Sequence, residues 1–402
     1  MKRAGTTLAI LILAVCAAHA MVHVLEGSLP CVEQSIATEY DVNQKTTGWL
    51  QTVWRFPWGV GALIAGLLVD RFGAKRMLAL YLLGSGATCI AASTLPGLDL
   101  LFVTMFLMGV MASIYHPAGL ALLSHETTPD TLPKTLGWHG VFGSLGIGGV
   151  PLLAAGVLSV SHSWQAFYGV LAVMSISVGL VFVYLTLQSP ERVFSHVDRA
   201  NADDRGDWTS FGILLVMSSC IGLSYHGVMS FLPRFLSDAS VLGWQMNSEI
   251  GGNVGAASAL ILGCFGQFLA GYFARHKHLE WQLMLICAGT IPFLIGMSFA
   301  SPEWKWWFVA AWAPTFFMHQ PVFNSLIAKY TPRSRRSLCY GVSFAMGNGI
   351  GAISAGLVGE NTDLQTAYLG LAGCALAATL SGGILWIRAF RTPPIGPEKG
   401  GE

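Results

Sequence analysis

The chain has 402 residues, 53% of them hydrophobic and only 11% charged, with a formal net charge of +1. A soluble domain carries about 25% charged residues, so this composition excludes an ordinary water-exposed globule and makes lipid the main solvent. The near-neutral balance also offers no basic surface for nucleic acid.

Spanning a bilayer takes about 20 predominantly apolar residues. The first such stretch, 6–30, follows Lys2 and Arg3 and passes Ala18-His19-Ala20, which imitates a signal-peptide cleavage site. Its apolar run continues beyond that point, so it reads as a retained first helix. Further stretches fall at 46–69, 77–95, 98–122, 135–160, 164–187, 208–235, 250–273, 281–300, 304–328, 338–359 and 365–388. They predict an all-α membrane protein of twelve transmembrane helices in two pseudo-symmetric six-helix bundles. The bundles are 1–188 and 208–390, with a cytoplasmic linker at 189–207 and a cytoplasmic tail at 391–402. Of the 22 Lys and Arg, all but Lys45, Arg55, Arg234 and Lys305 fall on one side of these spans. The positive-inside rule then places both termini in the cytoplasm of a multi-pass inner-membrane protein. The eight cysteines are scattered without a C-x-x-C pair and read as small hydrophobes.

The two halves repeat. His23 precedes Leu29-Pro30 in the first span as His226 precedes Leu232-Pro233 in the seventh. The second span ends Gly61, Gly66, Arg71; the eighth ends Gly266, Gly271, Arg275. His116-Pro117 with Thr128-Pro129 matches His319-Gln320-Pro321 with Thr331-Pro332, and spans five and eleven are both glycine-rich. Four matches in one order indicate parallel internal repeats, an arrangement found in transporters.

Between spans two and three runs Gly66-Leu67-Leu68-Val69-Asp70-Arg71-Phe72-Gly73-Ala74-Lys75-Arg76. It resembles the signature loop of the major facilitator superfamily, G-x-x-x-D-R-x-G-x-[RK]-[RK]. The resemblance covers the whole chain and implies alternating access by rocking of two halves, with spans 1, 4, 7 and 10 lining a cavity. Gly66, Asp70, Arg71, Gly73, Lys75 and Arg76 are then expected to form a cytoplasmic gate. Gly66 would allow close helix packing, Gly73 a tight turn, and Asp70 a latch on a helix N-terminus or a base of the other half. A narrower likeness, to the fosmidomycin-resistance branch of drug exporters, rests on His19-x3-His23-x3-Gly27-Ser28-Leu29-Pro30, Tyr115-His116-Pro117 and Gly143-x2-Gly146 running to Pro151. Two positions depart from it: His23 stands where that branch carries aspartate, and Val150 separates Gly149 from Pro151.

A charge at the bilayer centre is costly, so an ionisable residue there marks function. His19, His23 and Glu26 recur at i, i+4 and i+7 and share one helix face. By the resemblance, His116, His226 and His319 face the same cavity. Imidazole changes charge near physiological pH, although a neutral histidine also serves as hydrogen-bonding glue between helices. His139 reads as structural. Arg55 lies about 15 residues before Asp70, about 22 Å along a helix and so near mid-depth. Its planar fork suits a carboxylate or phosphonate, and an internal pair with Glu26 is the other reading. Glu33 and Arg234 read as snorkelling at the outer surface.

The expected activity is secondary active transport, not enzymatic catalysis: proton-coupled efflux of a small organic solute through a cavity lined by His19, His23, Glu26, Arg55, His116, His226 and His319. Proton-symport uptake of an organic anion and transport of a metal or metal complex are the alternatives. A non-transporting receptor or an intramembrane metalloenzyme would be the other classes. Within the expected spans His19-x3-His23 is the only close histidine pair, so no metal ligand set is expected, and no cofactor. The expected partners are the substrate, protons and lipid, with the chain acting as a monomer.

Overall fold

The computed structural model describes residues 2–127, 131–187, 206–241, 244–245, 248–273, 278–332, 335–361 and 363–391. The expected tail from 392 onward, and all but the end of the expected linker, lie outside them, as do Arg275, Lys277 and Arg333.

The first half comprises α1 (Lys2–Cys31), a short α2 (Glu33–Glu39), α3 (Gln44–Phe72), α4 (Ala74–Thr94), α5 (Leu98–Ser113), α6 (Tyr115–Glu126), α7 (Leu132–Ser161) and α8 (Trp164–Leu187). The second comprises α9 (Trp208–Leu236), a small antiparallel hairpin of β1 (Ser240–Val241) and β2 (Trp244–Gln245), α10 (Glu249–Phe273) and α11 (Leu279–Phe299). It continues with α12 (Pro302–Phe317), α13 (His319–Tyr330), α14 (Arg336–Phe344), a π-helical turn at Ala345–Ile350, α15 (Gly351–Gly359) and α16 (Leu364–Arg391).

Among the described residues eleven helical stretches are long and apolar enough to cross a membrane. The tenth expected span, 304–328, is not one of them. Its four tryptophans, with Pro314, His319, Gln320 and Pro321, lower its hydropathy, and it is built from α12 and α13 end to end. The fourth span breaks in the same way, between α5 and α6. In both, a proline three residues into the second helix (Pro117, Pro321) lacks the N–H that would bond back to Ser113 or Phe317.

Buried apolar side chains form two cores, one drawn from residues between Leu11 and Phe182, the other from residues between Phe211 and Leu385. Large apolar side chains such as Leu67, Leu187 and Phe390 project outward from the helices, the distribution expected of a multi-pass membrane protein.

The halves meet closely at the end opposite the 66–76 loop. A Cβ on Gly48 would come within 2.6 Å of the Ala355 carbonyl oxygen, and one on Gly359 within 2.6 Å of the Gln44 carbonyl oxygen. Only glycine permits so close an approach of α3 to α15. Thr52 adds hydrogen bonds, donating to the Ala352 carbonyl at 3.0 Å and accepting from the Gly356 N–H at 3.0 Å. Outside the spans, Glu360 accepts from the Trp49 indole at 3.0 Å and pairs with Lys45 at 2.9 Å.

Glu33 and Arg234 do not snorkel. Glu33 is 1% exposed and accepts from Arg234 through Nε at 2.6 Å and Nη2 at 3.1 Å, with Thr47 donating at 2.5 Å. A carboxylate shut between two halves has lost its water and needs this full set of donors.

Candidate functional site

Further along, the same seam holds three of the ionisable residues singled out above, His23, Glu26 and Arg55. A narrow crevice is lined by His23, Glu26, Arg55, Tyr225, Val150 and Met229 among others; about 20 Å³ of it can hold the centre of a water molecule. Glu26, on α1, is 5% exposed and is held from both halves. His23 Nδ1 donates to its Oε2 at 2.7 Å, and the Tyr225 hydroxyl, from α9, donates to its Oε1 at 3.0 Å.

Arg55 is 2% exposed on α3. Its Nη1 donates to Gln51 Oε1 at 3.1 Å and to the Ser230 hydroxyl of the other half. Gln51 Nε2 in turn donates to the Ser230 carbonyl at 3.0 Å. Among the described residues no carboxylate is paired with the guanidinium, and its buried Nε has no hydrogen-bond partner. The internal Glu26–Arg55 pair weighed in the sequence is therefore not formed, although both residues line the crevice.

Beside the crevice the histidines of α1 gather with others. His19 Nε2 lies 3.2 Å from His23 Nε2, and the His19 ring stacks on His139 at 3.7 Å. His116, from α6, places its ring 5.6 Å from His19 and 5.7 Å from His23. Tyr115 and His139 meet at 2.9 Å behind the cluster, and the His139 carbonyl accepts from His19 Nδ1 at 2.6 Å. Glycines of α7 make room for this: a Cβ on Gly143 would lie 2.5 Å from His19 Cε1, and one on Gly146 2.4 Å from the Ala20 carbonyl oxygen.

His226 and His319 stand apart. His226 is fully buried and donates through Nε2 to Asn348 Oδ1, in the π-turn, at 3.2 Å. His319 Nδ1 donates to the Phe316 carbonyl of its own span at 2.6 Å, outside the crevice lining.

In the 66–76 loop Gly73 takes φ +90°, a turn suited to glycine. Asp70 is exposed, Lys75 pairs with Glu126 of its own half at 3.0 Å, and Arg71 lies over the Phe72 ring at 5.4 Å. A Cβ on Gly66 would meet Pro117 at 4.0 Å, an ordinary contact, so close packing does not require glycine there.

The sequence reading missed Gln51, Tyr225 and Ser230. Tyr225 left a signal, because Tyr225-His226 repeats the Tyr115-His116 pair.

Residues 8–356 match the Major Facilitator Superfamily profile. The chain belongs to that superfamily. It is a transporter and not an enzyme, as the reading of its sequence anticipated. Among curated superfamily relatives, Puromycin resistance protein pur8 of Streptomyces alboniger is 30% identical over 146 residues, 35% of this chain and 28% of that protein. Multidrug resistance protein 1 of Bacillus subtilis is 26% identical over 203 residues, 48% of this chain and 50% of that protein. The chain thus spans half or less of the length of these relatives. Over nearly its whole length it resembles the crystal structure of the peptide transporter POT in complex with sulfate, with a TM-score of 0.76 and 15% identity, covering 95% of this chain and 94% of that one. At that identity the likeness speaks for the superfamily fold alone.

Proposed function

We propose that this protein is a proton-coupled secondary transporter that exports a small organic solute by alternating access, with Glu26 as the proton site and Arg55 as the receptor for an anionic group. The reading includes twelve spans, with Pro302–Tyr330 as one broken span, two rocking six-helix bundles, and both termini on the cytoplasmic side of the inner membrane. The observation that carries it is the position of Glu26. One carboxylate accepts from His23 of the first half and from Tyr225 of the second. Protonation removes its charge, weakens both charge-assisted bonds and loosens the halves where they meet. The antibiotic and multidrug resistance relatives support efflux, as does the likeness of α1 and α6 to the fosmidomycin-resistance branch. Arg55 favours a second reading, uptake of an organic anion by proton symport, because a buried guanidinium without a carboxylate partner suits an anionic cargo.

The test is flux in tight proteoliposomes holding a pH-sensitive dye, challenged with phosphonates, carboxylates and cationic drugs. Substrate-dependent proton movement that exports solute supports the first reading; movement of proton and solute in the same direction supports the second. No movement with any compound, with a foreign symporter active in matched vesicles, rejects both.

A further inference from the structure

The histidine cluster contains a contact that two neutral rings cannot sustain alone. His19 Nδ1 lies 2.6 Å from a backbone carbonyl, which only accepts, so that nitrogen carries the ring proton and Nε2 presents a lone pair. His23 Nδ1 lies 2.7 Å from Glu26 Oε2 and donates to that carboxylate, so Nε2 of a neutral His23 presents a lone pair as well. Yet the two Nε2 atoms face each other at 3.2 Å. Two lone pairs at that distance repel, and the contact becomes favourable only with a cation between them, either an added proton or a metal ion.

His116 brings a third ring nitrogen. One ligand atom from each of His19, His23 and His116 lies within 4.8 Å of the other two. His116 Nε2 is buried without a hydrogen-bond partner, at a cost that a ligand there would remove. We propose that His19, His23 and His116 form a binding site for a divalent late first-row metal ion such as Zn2+, Co2+ or Ni2+. Metal–nitrogen bonds of about 2.0–2.1 Å in a tetrahedral site put ligand nitrogens about 3.3 Å apart. The His19–His23 spacing already matches, and His116 closes by at most about 1.5 Å on that geometry. Three imidazoles select zinc, nickel or cobalt over magnesium or calcium, which require oxygen ligands. The outer contacts are those of a metal centre: the His139 carbonyl orients His19, and the Glu26 carboxylate orients His23 and offsets positive charge. The fourth ligand position is left to water or to a group on a solute. Sequence spacing hid the third ligand because it arrives from another span.

This inference does not rest on the transport reading, because binding is measured at equilibrium without a gradient. Purified full-length protein without a polyhistidine tag, stripped with chelator, is titrated with Co2+ and back-titrated with Zn2+. The expected result is one tightly bound ion per chain, with the intense visible absorption of four-coordinate Co2+ bleached by Zn2+. His19→Gln and His116→Gln each weaken binding by at least ~10-fold, whereas His162→Asn, on an exposed turn, leaves it unchanged. Elution profile and melting temperature establish that each variant is folded. X-ray absorption of the zinc-loaded wild type, expected to show three imidazole ligands, decides the matter if the variants fail to fold. No binding by the stripped wild type overturns the proposal, and so does binding that survives the His19→Gln/His116→Gln double variant. Loss of flux with binding intact would count against the transport reading alone.

Discussion

The two halves carry the same sequence repeat but use it differently. His23 of α1 corresponds to His226 of α9, each seven residues before a proline, and His116 corresponds to His319. In the first half the corresponding rings converge at 5.7 Å. In the second they separate, His226 to Asn348 and His319 to its own backbone. Two neighbouring positions explain the divergence. In the repeat register His19 is matched by Gly222 and Glu26 by Met229. A Cβ on Gly222 would sit 1.9 Å from the Gly347 carbonyl oxygen, so the π-turn occupies the space that an imidazole fills in the other half. At this seam the second half has backbone packing where the first has His19, and it contributes one donor, the Tyr225 hydroxyl, and two acceptors, the Ser230 hydroxyl and carbonyl. A duplicated scaffold can thus hold its chemistry on one side and its grip on the other.

The comparison is broken most severely at Glu26. Glu26→Gln is expected to abolish gradient-driven flux in liposomes, and adding Met229→Glu should not restore it, because no histidine pair flanks that position. Rescue by the second substitution would make the halves equivalent. Arg234→Met is expected next: leaving Glu33 buried without its partner costs about 3–5 kcal/mol, read as a lowered melting temperature and as labelling of cysteines placed along the α3–α15 seam. Arg55→Lys keeps the charge but loses the fork. Affinity for an anionic substrate should fall about 10- to 100-fold, the weight of a lost hydrogen bond to a charged group; unchanged affinity would remove Arg55 from the binding role. Gly222→Ala should cost about 1–3 kcal/mol through overpacking, whereas Gly143→Ala, which meets only the His19 ring, should lower stability less and disturb the histidine cluster more. The smallest effect is expected at Glu360. The Trp49 indole and then Lys45 hold its carboxyl below the usual carboxylate range. A depressed value means its contribution is present above the unfolded-state value of about 4.3 and is lost as pH falls through the folded one. The melting temperature should therefore show no Glu360-dependent change between about pH 5 and 8, checked by comparing wild type with Glu360→Gln.

Most of the architecture was legible in the sequence because lipid imposes one rule on every span. Eleven expected stretches coincide with helices within a few residues, their ends marked by charges and caps such as Asn43, which accepts from the Thr46 N–H at 3.2 Å. The tenth escaped the simple rule because tryptophan, histidine and glutamine dilute its hydropathy. Within the site, helical spacing placed His19, His23 and Glu26 on one face, since that pattern is local. It could not show which residues arrive from other helices. His116 joining the α1 histidines, Tyr225 reaching Glu26, Ser230 reaching Arg55 and Arg234 reaching Glu33 are all meetings across spans. Glu33 was misread for that reason: an acidic residue at a span end looks solvated until its partner is known.

The Arg55–Gln51–Ser230 knot has a consequence for turnover. The first half holds the second with the guanidinium hydrogens that an anionic cargo would seek. On the proposed anion-binding role of Arg55, cargo and closure would compete for one set of donors: an arriving anion would draw Arg55 away from Ser230 and unfasten the halves as it binds, and its departure would let them fasten again. On this account the closed seam satisfies Arg55 only in part, since its Nε lacks a partner, and the cargo acts as the key that opens it.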